Sequence, residues 1–136
     1  MQNLPKFRGI STYGTNFIYG NLKVFEYSSK PTTYQILSNN IKDLNYIGFD
    51  VKPETIGQFT GLFDNNGAEI YKDDILKNPN TGQIFCIIWN ERIAGFSLSN
   101  TQNIENEIMV NTPAMANFCE VIGNIFENPE LLPPKP

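Results

Sequence analysis

Two neighbouring carboxylates, Asp73 and Asp74, come closest in type and spacing to a reacting pair. Paired carboxylates divide acid and base work when their surroundings push their pKa values apart. With Glu54 as a third group, they form the candidate set for a hydrolase built on carboxylates alone. A structural account competes and is the better one. One Asp tolerates a left-handed turn, and the other is solvated. Asp64-x-Asn66 suggests the opening of a calcium loop, but the pattern then fails. The position that needs Gly holds Glu69, and the position that needs Glu holds Ile75. Asp64-Asn65-Asn66-Gly67 reads instead as a hairpin turn, with Asn66-Gly67 as its corner.

The chain contains no His. That removes the usual general base near neutral pH and the commonest metal ligand. Ser-His-Asp and Cys-His arrangements are therefore impossible within one chain. Cys86 and Cys119 sit among apolar residues, where free Cys acts as a small hydrophobe. Two Cys without His make a poor zinc site. Neither GxGxxG nor GxxxxGK[ST] occurs, so no phosphate loop is present. The sequence assigns no catalytic, cofactor-binding or metal residue, and a non-enzymatic protein without a cofactor is expected. Trp89, Tyr71, Phe96 and Phe126 could together stack bases, though rings at strand positions are more often core. The terminal Pro133-Pro134-Lys135-Pro136 fits a PxxP ligand, but such tails usually fray or pack locally.

These residues have to be positioned by short strands. Of 136 residues, 40% are hydrophobic and 18% charged, which suits a folded domain rather than a disordered chain. Strand patterns recur at Lys6–Ile10, Asn16–Phe25, Thr32–Leu37, Tyr46–Val51, Thr55–Phe63, Glu69–Tyr71, Gly95–Ser99 and Glu120–Phe126. Gly20-Asn21 reads as a tight hairpin within the second of these. Ile84-Phe85-Cys86-Ile87-Ile88-Trp89 is a continuous apolar run, the mark of a strand buried on both faces. Residues 100–112 read as a loop. Thr112 is expected to cap a single helical turn, with Pro113 at its first position. From Asn128 the Pro-rich end should lie extended.

Pro53 marks the expected boundary between an N-terminal β unit, 1–52, and a C-terminal unit, 53–136. About five strands from Phe59 onward suit a small SH3-like barrel. The fold class is thus mainly β: two small β units, the C-terminal one an SH3-like barrel, with at most short helical turns. Charge divides at the same point. Residues 1–52 carry six Lys/Arg against three acids, a balance of +3, and residues 53–136 carry four against eleven, a balance of −7. No run approaches the ~20 apolar residues that span a bilayer, and Met1–Ile10 lacks the apolar core of a signal peptide. A cytoplasmic protein is expected.

Two segments carry a family resemblance. The first runs from Pro53-Glu54-Thr55-Ile56-Gly57-Gln58-Phe59-Thr60-Gly61-Leu62 through Asp64-x-x-Gly67-x-Glu69-Ile70-Tyr71-x-x-Asp74-Ile75. The second is Glu120-Val121-Ile122-Gly123-Asn124-Ile125-Phe126-Glu127-Asn128-Pro129-Glu130-Leu131-Leu132. With an opening Lys6-Phe7-Arg8, the chain resembles the YopX family of phage and prophage proteins. Where that family usually shows Gly-Asp-Ile, this chain has Asp73-Asp74-Ile75, and Asp tolerates the geometry that Gly supplies. The resemblance implies a phage or prophage origin in a bacterial host and a β-rich fold. It carries over no reaction and no site residue.

The leading expectation is a protein-interaction module that assembles with itself or binds a host or phage protein, since edge strands of small β units readily pair with other chains. The alternative is a nucleic-acid-associated regulator, with the +3 region meeting phosphates and the rings stacking bases. A third reading has the acidic half mimic nucleic acid and block a host enzyme.

Overall fold

The computed structural model describes residues 6–40, 45–100 and 111–132. The protein is mainly β, with two antiparallel sheets and short helical pieces. It divides into two compact units, Met1–Phe59 and Thr60–Pro136. Pro53, where the composition changes, opens a 3-10 turn at Pro53–Thr55. Thr55 ties that turn to the first strand: its hydroxyl accepts the Ile10 amide at 2.9 Å and donates to the Lys52 carbonyl at 2.6 Å.

The first unit holds β1 (Phe7–Ile10), β2 (Phe17–Phe25), β3 (Thr33–Asn40) and β4 (Asn45–Asp50), then the opening residues of β5 (Gly57–Phe63). The strand order is β4-β3-β2-β1-β5. β2 is long because it serves two partners in turn. Phe17–Gly20 pair with β1, and Asn21–Phe25 pair with β3. The hairpin expected at Gly20-Asn21 is therefore absent, and both residues lie inside β2 where it changes partner. A Cβ on Gly20 would run into the Leu37 carbonyl, so the glycine answers a close backbone approach rather than a turn. Ile10, Ile36 and Val51 are the buried aliphatics of this unit among the described residues.

The second unit continues β5 from Thr60 and adds β6 (Glu69–Tyr71), β7 (Asp74–Lys77), β8 (Ile84–Asn90) and β9 (Gly95–Ser99). Helix α1 (Thr112–Phe118) and β10 (Glu120–Asn124) follow. One sheet runs β10-β7-β8-β9, so β10 and β9 are its outer strands. That order describes a four-stranded sheet and does not by itself close the expected barrel. Ile70, Leu76, Phe85, Ile87, Leu98, Ala116 and Cys119 form the core, with Leu62, Phe96, Met115 and Val121 packed against it. β8 is buried on both faces, as its unbroken apolar run predicts. Phe85 and Ile87 enter the core cluster, while Cys86 and Ile88 are buried on the opposite face.

Two local expectations need correction. The cap of α1 is Asn111, not Thr112: the Asn111 side chain accepts the Ala114 amide at 3.1 Å, leaving Thr112 and Pro113 inside the first turn. After Asn128 the chain does not simply extend, because Pro129–Leu131 form a 3-10 turn. The terminal Pro133–Pro136 and the polar segment 101–110 lie outside the described residues.

Candidate functional site

Asp73 and Asp74 occupy the tight corner between β6 and β7. Asp73 has a φ of +74°, the left-handed conformation that Asp tolerates among non-glycine residues. Its amide donates to the Ile87 carbonyl at 2.9 Å, and its own carbonyl accepts the Ile125 amide at 3.0 Å. Its carboxylate pairs with Lys72 Nζ at 2.9 Å. Asp74 departs from expectation, since it is buried rather than solvated. One carboxylate oxygen accepts the Tyr71 amide at 2.7 Å, which closes the corner from inside. Glu54, the third candidate, sits exposed on the Pro53–Thr55 turn of the first unit. The structure thus brings Asp73 and Asp74 together as turn-builders.

Cys86 lies opposite Ile75 in the β7–β8 ladder and close to this corner. Burial pushes its thiol up to about 12, and the charges of Asp73 and Asp74 push the same way while Lys72 opposes them. Burial also raises the Cys119 thiol. Both cysteines are free, and both are buried. A thiol held protonated is a poor nucleophile and a poor metal ligand.

Asp64 is likewise committed to the backbone. One oxygen accepts the amides of Asn66 and Ala68, each at 2.8 Å, and Gly67 completes the turn at a φ of +83°. The other oxygen accepts the Val121 amide at 2.9 Å. Asn65 adds its amide to the Cys119 carbonyl at 2.9 Å and its side chain to the Phe118 carbonyl at 3.3 Å. The β5–β6 turn is thereby clamped to the junction of α1 and β10. No group of three or more candidate metal ligands occurs among the described residues.

The second signature segment is equally structural. The Asn124 side chain accepts the amides of Phe126 and Glu127 at 3.0 and 2.9 Å, and the Asn128 carboxamide accepts the Asn124 amide at 3.3 Å. A Cβ on Gly123 would strike that same Asn128 carboxamide. The Asp, Asn and Gly positions of the two segments therefore build turns, and their apolar positions fill strands and core.

Several large apolar side chains are left outward. Tyr71 is core, whereas Trp89 is 43% exposed and Phe96 is half-buried, so the four-ring platform does not assemble as one surface. Trp89 and Phe96 are cross-strand partners with rings edge to face, 5.3 Å apart and inclined at 78°. They share the sheet face of Phe85, Ile87 and Leu98; Phe96 packs against the core there, and Trp89, at the end of β8, stays largely outside it. Beside them, on the turn that joins β8 to β9, Ile93 is 63% exposed. Sequence reading missed Ile93. The available signal was a large aliphatic in the otherwise polar turn Asn90-Glu91-Arg92-Ile93-Ala94. In the first unit Tyr13, on the β1–β2 turn, is 94% exposed.

Four cations of the first unit lie over rings. Arg8 stands 4.2 Å from the Phe17 centroid, and Lys6 Nζ stands 5.8 Å from that of Phe59. Lys23 over Phe25 and Lys30 over Tyr27 each measure 4.9 Å. Lys23 and Lys30 are exposed. Among the described residues, no helix is long and apolar enough to cross a membrane.

A family model described as YopX protein matches residues 6–133. None of the curated proteins compared with the chain matches it. Among solved structures, the crystal structure of protein EF1440 from Enterococcus faecalis is similar, with 23% sequence identity and a TM-score of 0.58. The match covers 97% of this chain and 100% of that one, and the likeness is one of fold.

Proposed function

The chain belongs to the YopX family, and from that premise we propose a phage or prophage accessory protein that works by contact rather than catalysis. It is a module that assembles with itself or binds a host or phage protein. The observation that carries this reading is the exposed apolar surface at the end of the β8–β9 hairpin, where Trp89 and Ile93 stand outside the core. Large side chains displayed on rigid backbone mark association surfaces. The ionisable groups support the same reading. Asp64 and Asp74 hold backbone amides, Asp73 holds Lys72, and both thiols are kept protonated. We read the second unit as a small barrel of the SH3-like kind that presents this hairpin. Light scattering on the full chain over a range of concentrations tests the proposal. Growth of the mass above one chain supports it. A strict monomer that also recovers no protein partner from phage-infected cells overturns it.

The cation–ring pairs favour a second reading. Lys23 on Phe25 and Lys30 on Tyr27, at the outer end of β2 and in the loop after it, place exposed charge beside aromatic faces. Single-stranded nucleic acid is held by that combination. Fluorescence anisotropy with labelled single-stranded DNA and RNA decides it. Binding that weakens steeply with salt supports it, and no binding at low salt removes it.

A further inference from the structure

The turn that joins β8 to β9 is built more firmly than an exposed loop requires. Asn90 is buried at its base, where its carboxamide donates to the Ser97 hydroxyl at 3.1 Å and accepts the Arg92 amide at 2.9 Å. The Ile93 amide returns to the Asn90 carbonyl at 3.3 Å. Ala94 is held at a φ of +50°, a left-handed conformation that ordinarily favours glycine. A non-glycine residue in that region stores backbone strain, and such strain concentrates where a surface has a task. Its result here is a fixed tip that leaves Ile93 exposed on the hairpin that also exposes Trp89.

The charges around the tip are self-complementary. Glu91 and Arg92 are adjacent and exposed, and neither makes an ion pair among the described residues. A two-fold axis through such a tip would set Glu91 of one copy against Arg92 of the other, twice over, and bring the exposed Trp89 and Ile93 of both copies into the contact. This is the arrangement of an isologous contact, in which one patch meets itself. Its composition is also that of an interface centre, a Trp and an Arg beside an aliphatic anchor. We propose that the occupant of the β8–β9 tip is the same tip of a second copy of this chain. The inference rests on the self-association reading above and assigns it a surface.

The test uses the full chain and sedimentation equilibrium, with thermal melts to show that each variant is folded. The wild-type chain is expected to associate, and Ile93→Asp to weaken association about tenfold or more, as expected for loss of an interface anchor. Charge reversal supplies the sharper readout. Glu91→Arg alone and Arg92→Glu alone each place like charges opposite one another and weaken self-association. The double variant Glu91→Arg/Arg92→Glu restores it. The two single variants, mixed, associate with each other more tightly than either does with itself. A wild-type chain that stays monomeric overturns both this inference and self-association. A wild-type chain that associates, while every variant associates equally well, overturns the tip contact alone and leaves self-association standing.

Discussion

The carboxylate of Asp64, at the corner between β5 and β6, accepts the Val121 amide at 2.9 Å across fifty-seven positions of sequence. Its second oxygen holds the amides of Asn66 and Ala68. One side chain therefore closes its own turn and anchors the start of β10, which pairs with β7 in the second unit. The residue that most invites a calcium reading in the sequence is a tie between two distant pieces of backbone.

Asp64→Ala should accordingly destabilise the full chain by about 2–3 kcal/mol, because hydrogen bonds to charged acceptors contribute more than neutral ones and the half-buried Val121 amide loses its partner. Asp64→Asn should lose at least half as much, since the carboxamide can accept from one side only and presents a donor to the other. Urea denaturation measures both. A loss for Asp64→Ala below about 0.5 kcal/mol, the scale of an ordinary surface substitution, would show that the tie is not holding β10.

The Asp73 corner makes a different prediction, because its backbone conformation matters more than its charge. The ion pair to Lys72 involves a partly exposed lysine and contributes little. The φ of +74° suits glycine best. Asp73→Gly should therefore stay within about 1 kcal/mol of the parent, and Asp73→Val should cost about 2 kcal/mol or more, as a β-branched residue forced into the left-handed region. Paired thermal melts compare them. Equal stability of the two variants would refute the conformational account.

That corner also shows what a sequence can convey. The Asp at position 73 was readable as a left-handed turn, because the requirement is local to the residue itself. The hairpin at Asp64–Gly67 and the doubly buried β8 were readable for the same reason. The role of Gly20 was not, since Gly-Asn looks alike in a hairpin and in a strand, and the demand comes from Leu37, a partner on the next strand. Asp74 was misread as solvated because its partner is the Tyr71 amide, and backbone partners leave no trace in residue types. The candidate surface was the least legible part. Trp89 follows the periodicity of Phe85 and Ile87, and only the end of the sheet leaves it uncovered.

Two glycines then separate close approach to backbone from close approach to a side chain. Gly20→Ala drives its Cβ into the Leu37 carbonyl, which cannot move without opening the β2–β3 ladder beside Asn21 and Leu37. Gly123→Ala meets the Asn128 carboxamide, which can swing aside at the cost of its bond to the Asn124 amide. Gly20→Ala should cost about 3 kcal/mol or prevent folding, and Gly123→Ala about 1–2 kcal/mol, in line with strain against rigid and yielding neighbours. Soluble yield and urea midpoints rank them, and the reverse order would contradict the β2–β3 geometry.

Alkaline pH should weaken the fold through Cys86. Burial, with Asp73 and Asp74 adding to it, raises the Cys86 thiol from 9.0 to about 12 in the folded chain. The unfolded chain exposes the same thiol to water, where it ionises near its ordinary value. Between those two values the unfolded state binds fewer protons than the folded state, so the free energy of unfolding falls as pH rises. The stabilisation from keeping Cys86 protonated is complete below pH 9 and declines from there toward 12. Tyrosines and lysines ionise in the same window, so the wild-type curve alone does not isolate the thiol. The informative quantity is the difference between the wild-type chain and Cys86→Ala, which should be constant up to about pH 9 and shrink above it, each unit of pKa separation being worth about 1.4 kcal/mol at most. Asp73→Asn should lessen the decline, because removing that charge lets the thiol ionise more readily in the folded state. Urea midpoints at intervals from pH 7 to 11 provide the readout. A wild-type minus Cys86→Ala difference that stays flat across the whole range would mean that water reaches the thiol in the folded protein.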